Sequence, residues 1–81
     1  MITSNQMRAA RALLRWSAKR LSQESGVSLP TIQRMESSDG TPNALSRNLE
    51  AVQRALEQAG VMFVFDNGGG VGVRFRDRDT G

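Results

Sequence analysis

The sequence predicts a mainly α fold in which four helices are followed by a C-terminal β-hairpin. Three observations carry that expectation. Apolar residues recur at spacings of three and four as far as Ala59, small polar residues and glycines stand where helices must be capped, and from Val61 the period drops to two around a glycine-rich turn. With 81 residues the chain makes one small domain with a modest core, because short chains bury a smaller share of their surface. The expected organisation is a helical domain over 1–60, a hairpin over 61–76 and a disordered tail over 77–81.

The first helix starts after Thr3. Thr3-Ser4-Asn5-Gln6 has capping-box spacing, with threonine as N-cap and glutamine at N3, and Ile2 and Met7 are placed to staple across it. Met7, Ala10, Leu13 and Leu14 give this helix a core face as far as about Arg15. Ser17 opens the second helix as N-cap, with Trp16 and Leu21 as its staple. Gly26 ends that helix, since glycine takes the left-handed conformation without a Cβ penalty. Val27 and Ser28 then repeat the device: Ser28 caps the third helix and Val27 staples to Ile32. Caps so close together force a sharp turn, so the third helix projects an exposed face at a large angle to the second. That is the layout of a DNA-reading helix-turn-helix.

Residues 37–43 are turn chemistry, polar with Gly40 and Pro42, in a position where a loop can touch a nucleic-acid backbone. Leu45, Leu49, Val52, Ala55, Leu56 and Ala59 form the apolar stripe of a fourth helix, which Gly60 stops. Arg47, Glu50, Arg54 and Glu57 alternate in sign along its other side, the pattern of a solvated face, and Arg54 is read as structural. Residues 61–65 are a strand by composition, 66–70 a turn and 71–76 a second strand. The first strand is apolar on both sides, with Val61, Phe63 and Phe65 on one and Met62 and Val64 on the other. Either the chain's own helices cover both sides or a second copy does. A lone hairpin is marginal in water and its free edge invites pairing, so a homodimer is expected through Val61, Met62, Phe63, Val64, Phe65, Val73 and Phe75.

The formal charge of +3 is unevenly spread, because Arg8, Arg11, Arg15, Lys19, Arg20 and Arg34 face only Glu24 and Glu36 in the first 36 residues. Arginine's planar fork suits phosphate and guanine, although a basic face alone is as readily a solvated surface. Cysteine and histidine are absent, which excludes disulfides, thiolate chemistry and the common zinc sites. Glu24, Glu36, Asp39, Glu50, Glu57, Asp66, Asp77 and Asp79 show no metal-ligand clustering, so neither a metal, another cofactor nor enzymatic activity is expected. Gly68-Gly69-Gly70 is a turn and not a phosphate loop, since no lysine-serine or lysine-threonine pair follows it. No apolar run approaches the roughly 20 residues that span a bilayer, and no signal-peptide core is present, so a cytoplasmic location without a membrane partner is expected.

Leu21, Gly26, Val27, Ile32, Met35 and Glu36 together resemble the helix-turn-helix of the Cro and phage-repressor family, the XRE-type regulators. In that family these positions hold a buried leucine, the turn glycine, a valine, an isoleucine, a second apolar residue and an acidic helix end. The resemblance covers about residues 5–60 and implies a repressor-like four-helix DNA-binding domain in which Arg11 pairs with Glu36. It also implies that base-reading positions are among Leu29, Pro30, Gln33 and Arg34. The residues agree with it: Leu29, Pro30, Thr31, Gln33 and Arg34 all lie off the Ile32/Met35 core face, early in the third helix. Arg34 can bond guanine O6 and N7 or a phosphate, Gln33 an adenine, and Leu29 a thymine methyl. Ser17, Ala18, Lys19, Arg20, Ser28, Asn43 and Arg47 are the expected phosphate contacts, partly through helix N-termini. Ser17, Ser28 and Thr31 have capping and first-turn roles whether or not DNA is bound. At Ala18 the family commonly places a phosphate-binding glutamine, so that anchoring is expected to shift to Lys19 or Arg20.

The function expected is a sequence-specific transcriptional regulator, a homodimeric repressor that binds an inverted-repeat operator in double-stranded DNA through the major groove. The alternative is an antitoxin or protein-interaction module that binds a second protein as well as its operator.

Overall fold

Capping chemistry fixes where the first three helices of the computed structural model begin, and residues 1–38, 42, 44–65 and 68–77 are described. Among them α1 spans Ser4–Leu14, α2 Ala18–Ser25, α3 Leu29–Glu36 and α4 Ser46–Gln58, followed by β1 at Val61–Val64 and β2 at Gly72–Phe75. Asp39, Gly40, Thr41 and Asn43 of the expected loop, Asp66 and Asn67 of the expected turn, and 78–81 of the expected tail lie outside the described residues.

Thr3 Oγ1 accepts the Gln6 N–H at 3.0 Å while Gln6 Oε1 accepts the Thr3 N–H at 2.9 Å, so the capping box closes in both directions. Ile2 and Met7, the staple across it, are fully buried. Ser17 Oγ accepts the Arg20 N–H at 3.0 Å, and Ser28 Oγ accepts the Thr31 N–H at 3.4 Å. Each such cap stabilises its helix by about 1 kcal/mol. Gly26 stands at φ +78° and closes α2 through its N–H to the Ser22 carbonyl. α1 ends in the same way without a glycine. Arg15 adopts φ 57°, its N–H bonds the Ala12 carbonyl at 3.2 Å, and the Trp16 N–H bonds the Arg11 carbonyl at 2.9 Å.

One core holds the elements together. Ile2, Met7 and Ala10 meet Leu21, Val27, Ile32 and Met35 from the α2–α3 segment and Leu49, Val52, Ala55 and Leu56 from α4. Each large apolar side chain buried there contributes about 1.5–3 kcal/mol before entropy is counted. Val61 and Phe63 belong to the same cluster. The hairpin is therefore part of the helical core and not a unit beside it. β1 and β2 run antiparallel with Val61 opposite Phe75, Met62 opposite Arg74, Phe63 opposite Val73 and Val64 opposite Gly72. The two-residue period turns Val61 and Phe63 inward, where the sheet lies on α1 and α4, and leaves Met62 outside.

Two expectations are corrected by this packing. Leu45 does not join the stripe of α4: it is the N-cap, in extended conformation at ψ 144°, which takes its side chain off the helical face and leaves it 59% exposed. Val61 and Phe63 are removed from the expected dimer surface, because the chain's own helices bury them. The molecule is a compact, mainly α domain of four helices and a two-stranded antiparallel sheet. No helix among the described residues is long and apolar enough to cross a membrane.

The two left-handed helix ends predict opposite effects of exchanging glycine. A Cβ at Gly26 would meet nothing within 4 Å, so Gly26→Ala should cost only backbone strain, about 1 kcal/mol, whereas Arg15→Gly should relieve about as much. Urea denaturation of both variants, with unchanged m-values, measures the two signs.

Candidate nucleic-acid interface

α2 and α3 are joined by Gly26, Val27 and Ser28, and the turn is braced from within. Ser22 Oγ donates to the Val27 carbonyl at 2.6 Å and Ser25 Oγ accepts the Val27 N–H at 3.2 Å. Val27 itself is buried and fixes the turn to the core. α3 then begins at Leu29 with Pro30 in its first turn, where helix N–H groups have no internal acceptor and proline loses nothing. Ile32 and Met35 are fully buried. Helical spacing therefore turns Pro30, Gln33 and Arg34 outward as exposed side chains, with Leu29 and Thr31 half-buried at the margin. The five residues expected to reach bases thus share one side of the helix, the two i,i+4 pairs Leu29/Gln33 and Pro30/Arg34 together with Thr31, which lines a groove with Arg34.

The far end of α3 is held by α1. Glu36 is buried, and both its carboxylate oxygens accept from Arg11, Nε to Oε2 and Nη2 to Oε1, each at 2.7 Å. Arg11 Nη1 also donates to the Trp16 carbonyl at 3.0 Å. The hydrogen bond to Glu36 holds the Arg11 guanidinium above its ordinary pKa, against the opposing effect of burial. A basic group raised in this way adds stability at every pH below its unfolded value and loses it as pH climbs through the folded one, here only in strong alkali. Ser4 Oγ donates to the Met35 carbonyl at 2.6 Å, and Arg8 donates to the Glu36 carbonyl and to Asn5 Oδ1. α3 ends in Ser37 with right-handed geometry, so these side chains of α1 do the work that a glycine cap would otherwise do.

Those bonds redistribute the positive charge. Arg8 and Arg11 are half-buried and engaged in the α1–α3 contact. Arg20 pairs with Glu24 at 2.9 Å and lies 5.0 Å from the centre of the Trp16 ring, which ties it to the surface of α2. Lys19, Arg34 and Arg47 are exposed and make no ion pair among the described residues. Of the expected phosphate contacts, Ser17 and Ser28 are exposed N-caps, Ala18 is half-buried against the core, and Asn43 falls outside the described residues. The first turns of α2, α3 and α4 carry no carboxylate, so each helix N-terminus keeps its full attraction for an anion. Among the described residues the opposite charges along α4 do not form ion pairs. Gln53 Nε2 donates to Glu57 at 3.1 Å instead.

A groove of about 470 Å³ separates α3 from the start of α4, lined by Thr31, Arg34, Ala44, Leu45 and Asn48. Asn48 and the uncapped N-terminus of α4 are additions to the residues expected from sequence. The alternating charges of α4 drew attention to Arg47, whereas Asn48 becomes visible only once the helix start and its approach to α3 are known. On the hairpin, Met62, Phe65 and Phe75 are exposed, and so is Val71, which sequence reasoning did not select. Val64 is half-buried and Val73 packs partly against the core. Arg74 Nε approaches Met62 Sδ at 3.3 Å across the outer side. No group of three or more His, Cys, Asp or Glu residues among those described is placed to hold a metal ion.

Removing one partner of the α1–α3 lock leaves the other charge in a site that is largely closed to water. Arg11→Met should cost about 3 kcal/mol, and Glu36→Gln less, because the amide still accepts one bond. In a double-mutant cycle read by urea denaturation, the combined variant should lose less than the sum of the two.

Neither protein-family models nor curated proteins give a match to this chain, so its function has to follow from the chemistry of the site itself.

Proposed function

We propose that the protein is a sequence-specific DNA-binding transcriptional regulator of the Cro and phage-repressor kind, which inserts α3 into the major groove of double-stranded DNA. One observation carries this: Pro30, Gln33 and Arg34 stand exposed on α3 while Ile32, Met35 and Glu36 anchor the opposite side. A helix so fixed offers its side chains to base edges without loss of order on binding. Arg34 is the residue for guanine or for the neighbouring phosphate, Gln33 for adenine, and Leu29 for a thymine methyl. Lys19, Arg47 and the N-termini of α2 and α4 grip the backbone on either side. Repression by occlusion of polymerase is the simplest output of such a domain.

Two copies on an inverted repeat would set half-site centres about 34–36 Å apart. The surface for that pairing is made of the exposed hairpin residues Met62, Phe65 and Phe75 with half-buried Val64, and not of the buried Val61 and Phe63. The same exposed apolar residues favour a second reading, in which the hairpin engages a partner protein, as an antitoxin does, while α3 holds the operator.

Selection from random duplex DNA, followed by footprinting, tests binding, symmetry and half-site spacing together; recovery of no preferred sequence would refute the proposal. On the selected duplex, Arg34→Ala should cost about 1–3 kcal/mol and relax preference at one position. Lys19→Ala should weaken all duplexes alike and reduce the salt slope by about 1. Met62→Asp, on the outer side of β1, should leave the fold intact and convert dimer to monomer by sedimentation. A variant that dimerises as well as the wild type would move the interface elsewhere.

A further inference from the structure

Gln6 makes three bonds with one buried amide. Only 2% of the residue is exposed, its Oε1 accepts the Thr3 N–H, and its Nε2 donates to the Val64 carbonyl at 3.1 Å and the Gly72 carbonyl at 2.9 Å. Val64 and Gly72 are opposite one another in the register, so a single side chain from α1 fastens both strands at the end of the ladder. Two positions earlier on the same helical turn, the fully buried Ser4 holds the Met35 carbonyl at the end of α3. α3 packs against α1 and α2, the hairpin against α1 and α4, and the first turn of α1 carries side-chain hydrogen bonds to both.

We propose that this first turn is a clamp through which the hairpin holds α3 in its DNA-binding position, with Gln6 as a positioning residue that touches no DNA. The physical reason lies in the inventory of the amide. Two donors and one acceptor are needed at that reach, and glutamine supplies them, whereas glutamate would turn acceptor oxygens toward two carbonyls. If the hairpin lifts, Gln6 loses both acceptors inside the protein and must rotate toward water, because a buried unpaired amide is costly. Rotation withdraws Oε1 from the Thr3 N–H and opens the capping box. The turn that presents Ser4 to the Met35 carbonyl then loosens, and with it the C-terminal end of α3. Whatever occupies the hairpin, a second copy or a partner protein, thereby acts on the helix that meets DNA. The effect on DNA rests on the function proposed above; the coupling between hairpin and α3 does not.

The test uses the full chain with Gln6→Met, which keeps the length and removes the donors, and Gln6→Glu. Amide hydrogen exchange in the free protein should quicken about tenfold at Val64 and Gly72 and also at Glu36 and Ser37, with the amides of α2 unchanged, as expected for a buried hydrogen bond of ordinary strength. Affinity for a duplex selected with the wild-type protein should fall about tenfold while its salt slope stays the same, because no phosphate contact is lost. Faster exchange spread evenly over all four helices would mean general destabilisation and would overturn the proposal, as would a freed hairpin with α3 unaltered. Should the Gln6 variants fail to fold, Ser4→Ala decides the matter from the other end: it should quicken Glu36, Ser37 and the hairpin amides together, and an effect confined to α3 would overturn the clamp. A wild-type protein that prefers no duplex would end the DNA-binding function, and the exchange pattern would still decide the coupling.

Discussion

Everything at the outer surface depends on how the C-terminal end of α3 is satisfied. A helix of eight residues leaves its last carbonyls without helical partners; Ser37 and Ser38 take those of Gln33 and Arg34, and those of Met35 and Glu36 turn to α1. Ser4 on the Met35 carbonyl and Arg8 on the Glu36 carbonyl meet that demand, and Arg11 adds an ion pair to the Glu36 carboxylate, the three residues coming from successive turns of α1. The bidentate Arg11–Glu36 pair has directional character that apolar packing lacks. Apolar contact alone would let α3 roll about Ile32 and Met35. The ion pair and the two carbonyl bonds fix its rotation, and hence which side chains face outward.

The same arrangement explains how few residues suffice. Three helices open on side-chain caps closed over three residues, and α2 closes with a glycine cap over four, so those boundaries are established by local contacts with little loop-closure cost. Long-range order then rests on one apolar cluster, on polar bonds that start from α1, and on Arg76, which ties the end of the hairpin to the Glu57 and Gly60 carbonyls. α1 carries Gln6 toward the hairpin and Ser4, Arg8 and Arg11 toward α3, while its own apolar face, Met7 and Ala10, lies in the core between them. Among the described residues no buried side-chain nitrogen or oxygen lacks a partner, which is what a core with this many polar insertions requires to be stable.

Charge follows from geometry. Arginines that look equivalent along the chain are divided by the fold into those engaged with the protein itself and those exposed at its surface. Arg8 and Arg11 face α3, Arg20 lies between Glu24 and the Trp16 ring, and Arg34, Arg47 and Lys19 are exposed without an ion pair among the described residues. Arg34 lines the groove toward α4 with Thr31 and Asn48, and the helices that carry Lys19 and Arg47 start without carboxylates. The net charge of the chain gives no hint of this selection, since it counts engaged and exposed arginines alike.

Local chemistry made the helices readable from residues alone. Thr3 with Gln6, Ser17 with Arg20 and Ser28 with Thr31 interact across three positions, and the buried faces of α1, α3 and α4 follow the helical period, so order along the chain suffices to place them. The exposed side of α3 follows by subtraction once Ile32 and Met35 are known to be inside. Leu45 escaped this logic because an N-cap is extended, and the helical period does not apply to it. The hairpin was readable as two strands, but not which side would be covered, since both sides of β1 are apolar and the choice of Val61 and Phe63 is made by α1 and α4. The bond from Arg8 to the Glu36 carbonyl, those from Gln6 to the two strand carbonyls and that from Ser4 to Met35 span 28 to 66 positions of chain. Contacts at such separations leave no periodic trace, because they are created only when the packed helices bring distant backbone groups within reach of one side chain.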